Sequence, residues 1–244
     1  MKAKSRGNLL REGQAVTDTP LSRGELLKLV LQRFGLGIVG LSLLLFVPAG
    51  TLGYWQAWLW LVTLITPMVF VLSYLLRKDP DLLKRRMRLR ETHQTQRRVV
   101  QFGWIWLVLA FTVPGLDQRF GWSHVPVAIV IAADVLMFLS YCLFIWVMRE
   151  NSYASRLIEV EKTQKVVSSG PYAIIRHPLY AAAIGIYLFA PLVLASYWAV
   201  IPGALIIPLL VVWILNEENV LTKELPGYEQ YLQKVRYRLI PRIW

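Results

Sequence analysis

Two short segments hold the side chains with the most chemical potential: Arg176-His177-Pro178 and, forty residues further on, Asn216-Glu217-Glu218. The stretch between them, His177 to Asn216, contains no Asp, Glu, Lys or Arg. It is long enough for two apolar helices at about 1.5 Å per residue. A break at Ala195-Ser196-Tyr197-Trp198 makes it a helical hairpin, and a hairpin returns to the side it left. A guanidinium, an imidazole and two carboxylates therefore meet at one membrane interface, where such groups can position a bound group or take a proton from it. Taken singly they do less: Arg176 snorkels, His177 caps a helix, and the glutamates end one.

The chain that must position them has 244 residues, 56% hydrophobic and only 17% charged, yet it carries a formal charge of +12. A soluble domain carries about 25% charged residues, and a disordered basic chain lacks this apolar content, so neither class fits. Residues 34 to 76 hold no charge at all and divide at Pro48-Ala49-Gly50-Thr51-Leu52-Gly53, giving spans near 34–50 and 54–76. Tyr54, Trp55, Trp58 and Trp60 read as an interfacial aromatic belt. Val99–Leu116 and Phe120–Met148 supply a third and a fourth span. With the hairpin, the expected fold is an all-α integral membrane protein of about six transmembrane helices and a cytoplasmic C-terminal region. Its divisions are a cytoplasmic segment 1–33, a four-helix membrane region 34–148 and a core 149–244.

Of the 27 Lys and Arg residues, all but Arg119 fall on segments that this topology places on one side, so both termini are expected in the cytoplasm. The polar N-terminus does not read as a cleavable signal peptide. Lys84-Arg85-Arg86-Met87-Arg88-Leu89-Arg90 lies between two spans, where it is topogenic and attracts anionic lipids; nucleic-acid binding is not expected. One cysteine, Cys142, and three dispersed histidines give no metal motif. Cys142 reads as a small buried residue. Gly35-Leu36-Gly37-Ile38-Val39-Gly40 opens a membrane span rather than a βαβ unit, so its glycines are expected to pack helices closely. Asp134, in mid-span, is either functional or a hydrogen-bonded lock between helices.

Several motifs of the last third together carry a family resemblance. They are Gly170-Pro171-Tyr172 with Arg176-His177-Pro178-Leu179-Tyr180, Glu217-Glu218, Gly227-Tyr228 with Tyr231, and Arg238-Leu239-Ile240-Pro241. The segment from Met148-Arg149-Glu150-Asn151-Ser152 to Val160-Glu161 adds to them. The pattern over about 149–244 resembles the isoprenylcysteine carboxyl methyltransferase family, in its prokaryotic form, of integral membrane S-adenosylmethionine-dependent methyltransferases.

The resemblance implies that the hairpin and tail wrap the cofactor and leave a lateral opening for a lipophilic substrate. A strand-like segment Gln164, Lys165, Val166 and Val167 would contact the adenosyl part. Tyr172, His177, Pro178, Leu179 and Tyr180 would line the pocket, and Glu217 would meet the amino-acid end. Glu218 is the neighbouring candidate for positioning or general-base work, and Arg176 is its catalytic companion. A methyl sulfonium is a cation, which carboxylates offset and tyrosine faces receive. Where the prenylcysteine enzymes carry an Arg facing the substrate carboxylate, this chain has Trp213, and an indole cannot make that bidentate contact. A lipophilic acceptor other than a prenylated protein is therefore at least as good a substrate. The alternatives are an NADPH-dependent membrane reductase of the sterol-reductase type and a non-enzymatic transporter or scaffold.

Overall fold

A computed structural model describes residues 23–80, 82–83, 94–153 and 164–244, leaving aside the side chains of 23, 94–104, 106 and 107. The basic run 84–90, the 1–22 segment and Val160-Glu161 lie outside it. Among the described residues there are six long helices: α1 (Arg23–Ala49), α2 (Trp55–Lys78), α3 (Gln94–Phe120), α4 (Val127–Glu150), α5 (Pro178–Val193) and α6 (Val200–Glu224). A 3-10 turn (Gly170–Ala173) precedes α5, and a short α7 (Tyr228–Lys234) follows α6. No strand occurs among the described residues, so Gln164–Val167 runs without regular structure rather than as a strand.

The helices α1, α2, α4 and α6 are long and apolar enough to cross a membrane. Much of their outward surface is apolar, with Leu36, Leu43, Val62, Phe70, Phe138 and Leu139 exposed, as lipid contact requires. The chain is an all-helical integral membrane protein. The helix α5 has 16 residues and so reaches only about 24 Å.

Two buried clusters mark opposite poles. At one, Leu26 and Val30 at the start of α1 meet Leu75 at the end of α2 and Val147 and Met148 at the end of α4, with Leu179 of α5 against them. At the other, Ala49, Tyr54, Phe111, Val193 and Leu194 pack together. Successive helices thus reverse direction. The first helix begins eleven residues before the expected span, because Leu26 and Val30 share a face and bury it despite Lys28 between them.

The aromatic belt divides in two. Trp55 and Trp58 face outward, whereas Tyr54 and Trp60 are core residues, and the Tyr54 hydroxyl donates to the Leu194 carbonyl. Cys142 is exposed, not buried. Asp134 is half-buried and its Oδ1 has no hydrogen-bond partner among the described residues, so the structure shows no lock there.

The expectation for the Gly35-Gly37-Gly40 run is overturned: a Cβ added at any of the three would meet nothing within 4 Å. Close packing occurs elsewhere. A Cβ on Gly115 of α3 would lie 2.5 Å from the Leu45 carbonyl oxygen of α1, and one on Gly185 of α5 would lie 2.3 Å from Ser140 Oγ of α4.

The pole away from Glu217 is tied by a carboxylate that the motifs did not single out. Asp117 is 2% exposed. Its Oδ1 accepts from the Ser123 amide at 2.6 Å, and its Oδ2 accepts from the hydroxyls of Ser123 and Ser196. Ser196 Oγ in turn accepts from the Ala199 amide at 3.1 Å, so one side chain joins the α3–α4 and α5–α6 connections. Asp117→Ala should cost about 2–4 kcal/mol, since it leaves several buried donors unpaired. Thermal unfolding in detergent measures this, and an unchanged melting temperature would refute it.

Candidate active site

Pro178 opens α5 at a position where a missing N–H costs nothing. His177 precedes it as N-cap but makes no side-chain cap bond. Its ring turns instead toward α6. His177 Nε2 lies 3.1 Å from Glu218 Oε1, and a carboxylate can only accept, so Nε2 carries the hydrogen. The ring is 4% exposed. Arg176 NH1 pairs with the same oxygen at 2.9 Å, and Arg238 Nε donates to Glu218 Oε2 at 2.8 Å.

Adjacent residues on a helix point about 100° apart, and the two glutamates divide accordingly. Glu218 is consumed inside the cluster of His177, Arg176 and Arg238. Glu217 faces the cleft, where its Oε2 accepts from the Tyr180 hydroxyl at 2.6 Å and lies 4.0 Å from His177 Nδ1. The rings of His177 and Tyr180 stand 5.6 Å apart, centroid to centroid.

The tail closes the cleft from the other side. The amides of Arg176 and His177 donate to the carbonyls of Tyr237 and Arg238 at 2.9 and 3.0 Å. Arg176 NH2 also donates to the Arg236 carbonyl at 2.9 Å. On α7, Tyr231 donates its hydroxyl to the Tyr172 carbonyl at 2.8 Å, and Tyr228 packs beside it. Burial pushes both phenols above their ordinary range, and the charges of Glu218 and Glu217 add to this at Tyr228. Both therefore remain neutral hydroxyls near pH 7.

Of the residues expected at a cofactor site, Gln164, Lys165, Val166, Val167, Tyr172, His177, Leu179, Tyr180 and Glu217 all line this one cleft, as does Arg176. Pro178 is buried at the start of α5 and does not line it. Glu218 stays behind the wall, with both oxygens engaged, which suits positioning and leaves no free oxygen for general-base work. Trp213 stands one turn before Glu217 on α6, half-buried, and does not line the cleft.

Asn151, Tyr153, Leu221, Leu225, Tyr228 and Tyr231 line it without having been assigned to it. A signal for some of them was available: Leu221 follows Glu217 at helical spacing, and the two tyrosines belong to the ordered tail. Asn151 Nδ2 donates to the Tyr172 hydroxyl at 2.9 Å, fixing that ring from α4. Next to it, Glu150 accepts from the Ser169 hydroxyl and lies against Gly170, whose φ of +55° and lack of a Cβ admit the close approach.

The cleft combines aromatic faces, aliphatic side chains, one carboxylate and two cations, Lys165 and Arg176, the latter already paired with Glu218. That donor set fits a nucleoside carrying a cationic centre: Val166, Val167, Leu179 and Leu221 offer apolar walls, while the tyrosines and Glu217 offer attraction for positive charge. Residues 128–227 match the model of the phospholipid methyltransferase family, which belongs with the isoprenylcysteine carboxyl methyltransferases. The match runs from α4 to the glycine preceding α7 and takes in most of the cleft. No curated protein matches the chain.

Proposed function

We propose, from the match of residues 128–227 to the phospholipid methyltransferase model, that the chain is a membrane methyltransferase of the isoprenylcysteine carboxyl methyltransferase family and transfers the methyl group of S-adenosylmethionine to a lipophilic acceptor at the cytoplasmic membrane face. The observation that carries this reading is the convergence of 164–167, Tyr172, His177, Leu179, Tyr180 and Glu217 on one cleft. The residues present fit the donor as a mixed cradle, with aliphatic and aromatic walls, polar side chains such as Asn151 and Gln164, and the Glu217 carboxylate for positive charge.

In this reading Val166, Val167 and Leu179 hold the adenosyl part, Glu217 takes the ammonium of the amino-acid part, and Tyr172 and Tyr180 face the sulfonium. Bound S-adenosylmethionine supplies an activated methyl group: the acceptor's lone pair forms the new bond to carbon, and the electrons of the broken C–S bond remain on sulfur as a neutral thioether. The protein's own contribution is orientation and charge complementarity, which suffice for in-line displacement. A carboxylate acceptor arrives ionised. A hydroxyl, thiol or ammonium acceptor gives up a proton, and Glu217, facing the cleft, is better placed to receive it than Glu218.

The acceptor is lipophilic in this proposal because the cleft sits at the mouth of helices whose outer faces are apolar, and because the matched family is described by phospholipid methylation. The absence of an Arg at Trp213 argues against a prenylated-protein carboxylate. The cytoplasmic assignment, six crossings and anionic-lipid contact rest on charge. Arg77, Lys78, Arg149, Arg176, Arg236 and Arg238 mark the pole of the cleft, and Arg119 the opposite one.

Membranes containing the protein, incubated with methyl-labelled S-adenosylmethionine and then extracted into organic solvent, should carry time-dependent label in the lipid phase. Label no higher than in membranes lacking the protein would count against the proposal.

A further inference from the structure

The guanidinium of Arg238 is held on two sides. Its edge donates from Nε to Glu218 Oε2 at 2.8 Å, and its central carbon lies 5.2 Å from the centre of the Trp244 ring. Trp244 is itself fixed by a compact turn: its carbonyl oxygen accepts the amides of Arg238, Leu239 and Ile240 at 2.8, 3.0 and 3.2 Å. Neither Arg238 nor Trp244 lines the cleft.

An arginine side chain is long and rich in rotamers, so an exposed one seldom holds a single carboxylate oxygen unaided. Here an aromatic face restricts the guanidinium plane while its edge remains free to bond, a geometry that lysine cannot reproduce. The other oxygen of Glu218 binds Arg176 NH1 and His177 Nε2, and both of those residues do line the cleft. Rotation of the Glu218 carboxylate would therefore move two cleft-lining side chains at once.

Resting on the methyl-donor reading of the cleft, we propose that Arg238, braced by Trp244, is a positioning residue for donor binding: it fixes Glu218 and through it the placement of Arg176 and His177. Titration calorimetry with S-adenosylhomocysteine in detergent, alongside thermal unfolding of the ligand-free protein, tests this. Trp244→Ala and Arg238→Gln should each raise Kd about tenfold at unchanged stoichiometry, with the melting temperature kept in Trp244→Ala and lowered in Arg238→Gln, which leaves Glu218 Oε2 without its cation. Trp244→Phe keeps a ring under the guanidinium and should bind within about twofold of the parent. Arg238→Lys keeps the charge but loses the planar fork, and should not restore affinity.

An unchanged Kd in Trp244→Ala, with the parent protein binding normally, would overturn the inference alone. So would a fall in stoichiometry and melting temperature at constant Kd, which marks a merely structural role. Failure of the parent protein to bind would overturn the donor assignment itself.

Discussion

Glu218→Ala should abolish methyl-donor binding and lower the stability of the folded protein by about 3–5 kcal/mol, the range for removing one partner of a buried ion pair. The carboxylate is the common acceptor for Arg176, His177 and Arg238, and its side chain is 10% exposed. Alanine leaves two guanidiniums and an imidazole facing one another with no acceptor among them. Glu218→Gln keeps the shape and one acceptor oxygen but places an amide N–H₂ where a donor already points, so it should fall between the two. The same cluster ties α6 to the segment before α5 and to the tail, which is why stability and binding fail together. Thermal unfolding and donor titration on both variants measure this. A stable Glu218→Ala protein with parental affinity would show that the cluster is incidental.

Glu217→Gln should behave differently, although the residue is an immediate neighbour. Glu217 faces the cleft and is bonded to the Tyr180 hydroxyl, an interaction that glutamine can keep through its carbonyl oxygen. The fold should therefore survive with little change in melting temperature. What is lost is the negative charge toward a cationic ligand. A hydrogen bond to a charged group is worth about 1.5–3 kcal/mol, so affinity for the donor should fall roughly 10- to 100-fold. Calorimetry on Glu217→Gln reads this directly, and parental affinity would remove Glu217 from the donor site. The contrast between the two glutamates is the sharper test, because one variant loses the fold and the other only the ligand.

The division of labour between these neighbours was not readable from the chain. Their pairing with Arg176 and His177 was, because a charge-free run bounded by charged residues must return to the interface it left. Which carboxylate points where depends on helix phase, and no residue pattern nearby reports it. Apolar helices were legible for the same reason as the pairing: lipid forbids charged stretches. The start of α1 was not, since Leu26 and Val30 bury their face within a charged segment.

Asp117 has no signature in the chain because, beside the local Ser123, its partner Ser196 lies 79 residues away in another connection, and an isolated carboxylate near a helix end marks nothing. The Gly35-Gly37-Gly40 spacing misled in the opposite way. A regular pattern of small residues suggested contact, but the contacts lie at Gly115 and Gly185, which no repeat marks. At the site, local motifs found 164–167, Tyr172, Arg176, His177, Leu179, Tyr180 and Glu217, and the ordered tail marked Tyr228 and Tyr231, while Asn151 reaches the cleft only through tertiary packing.

On the proposed function, this cleft binds a methyl donor. Titrating S-adenosylhomocysteine into the purified protein in detergent tests it most directly. Saturable one-to-one binding that NADPH does not compete for is the expected result. An absence of binding, or displacement by NADPH, would contradict it.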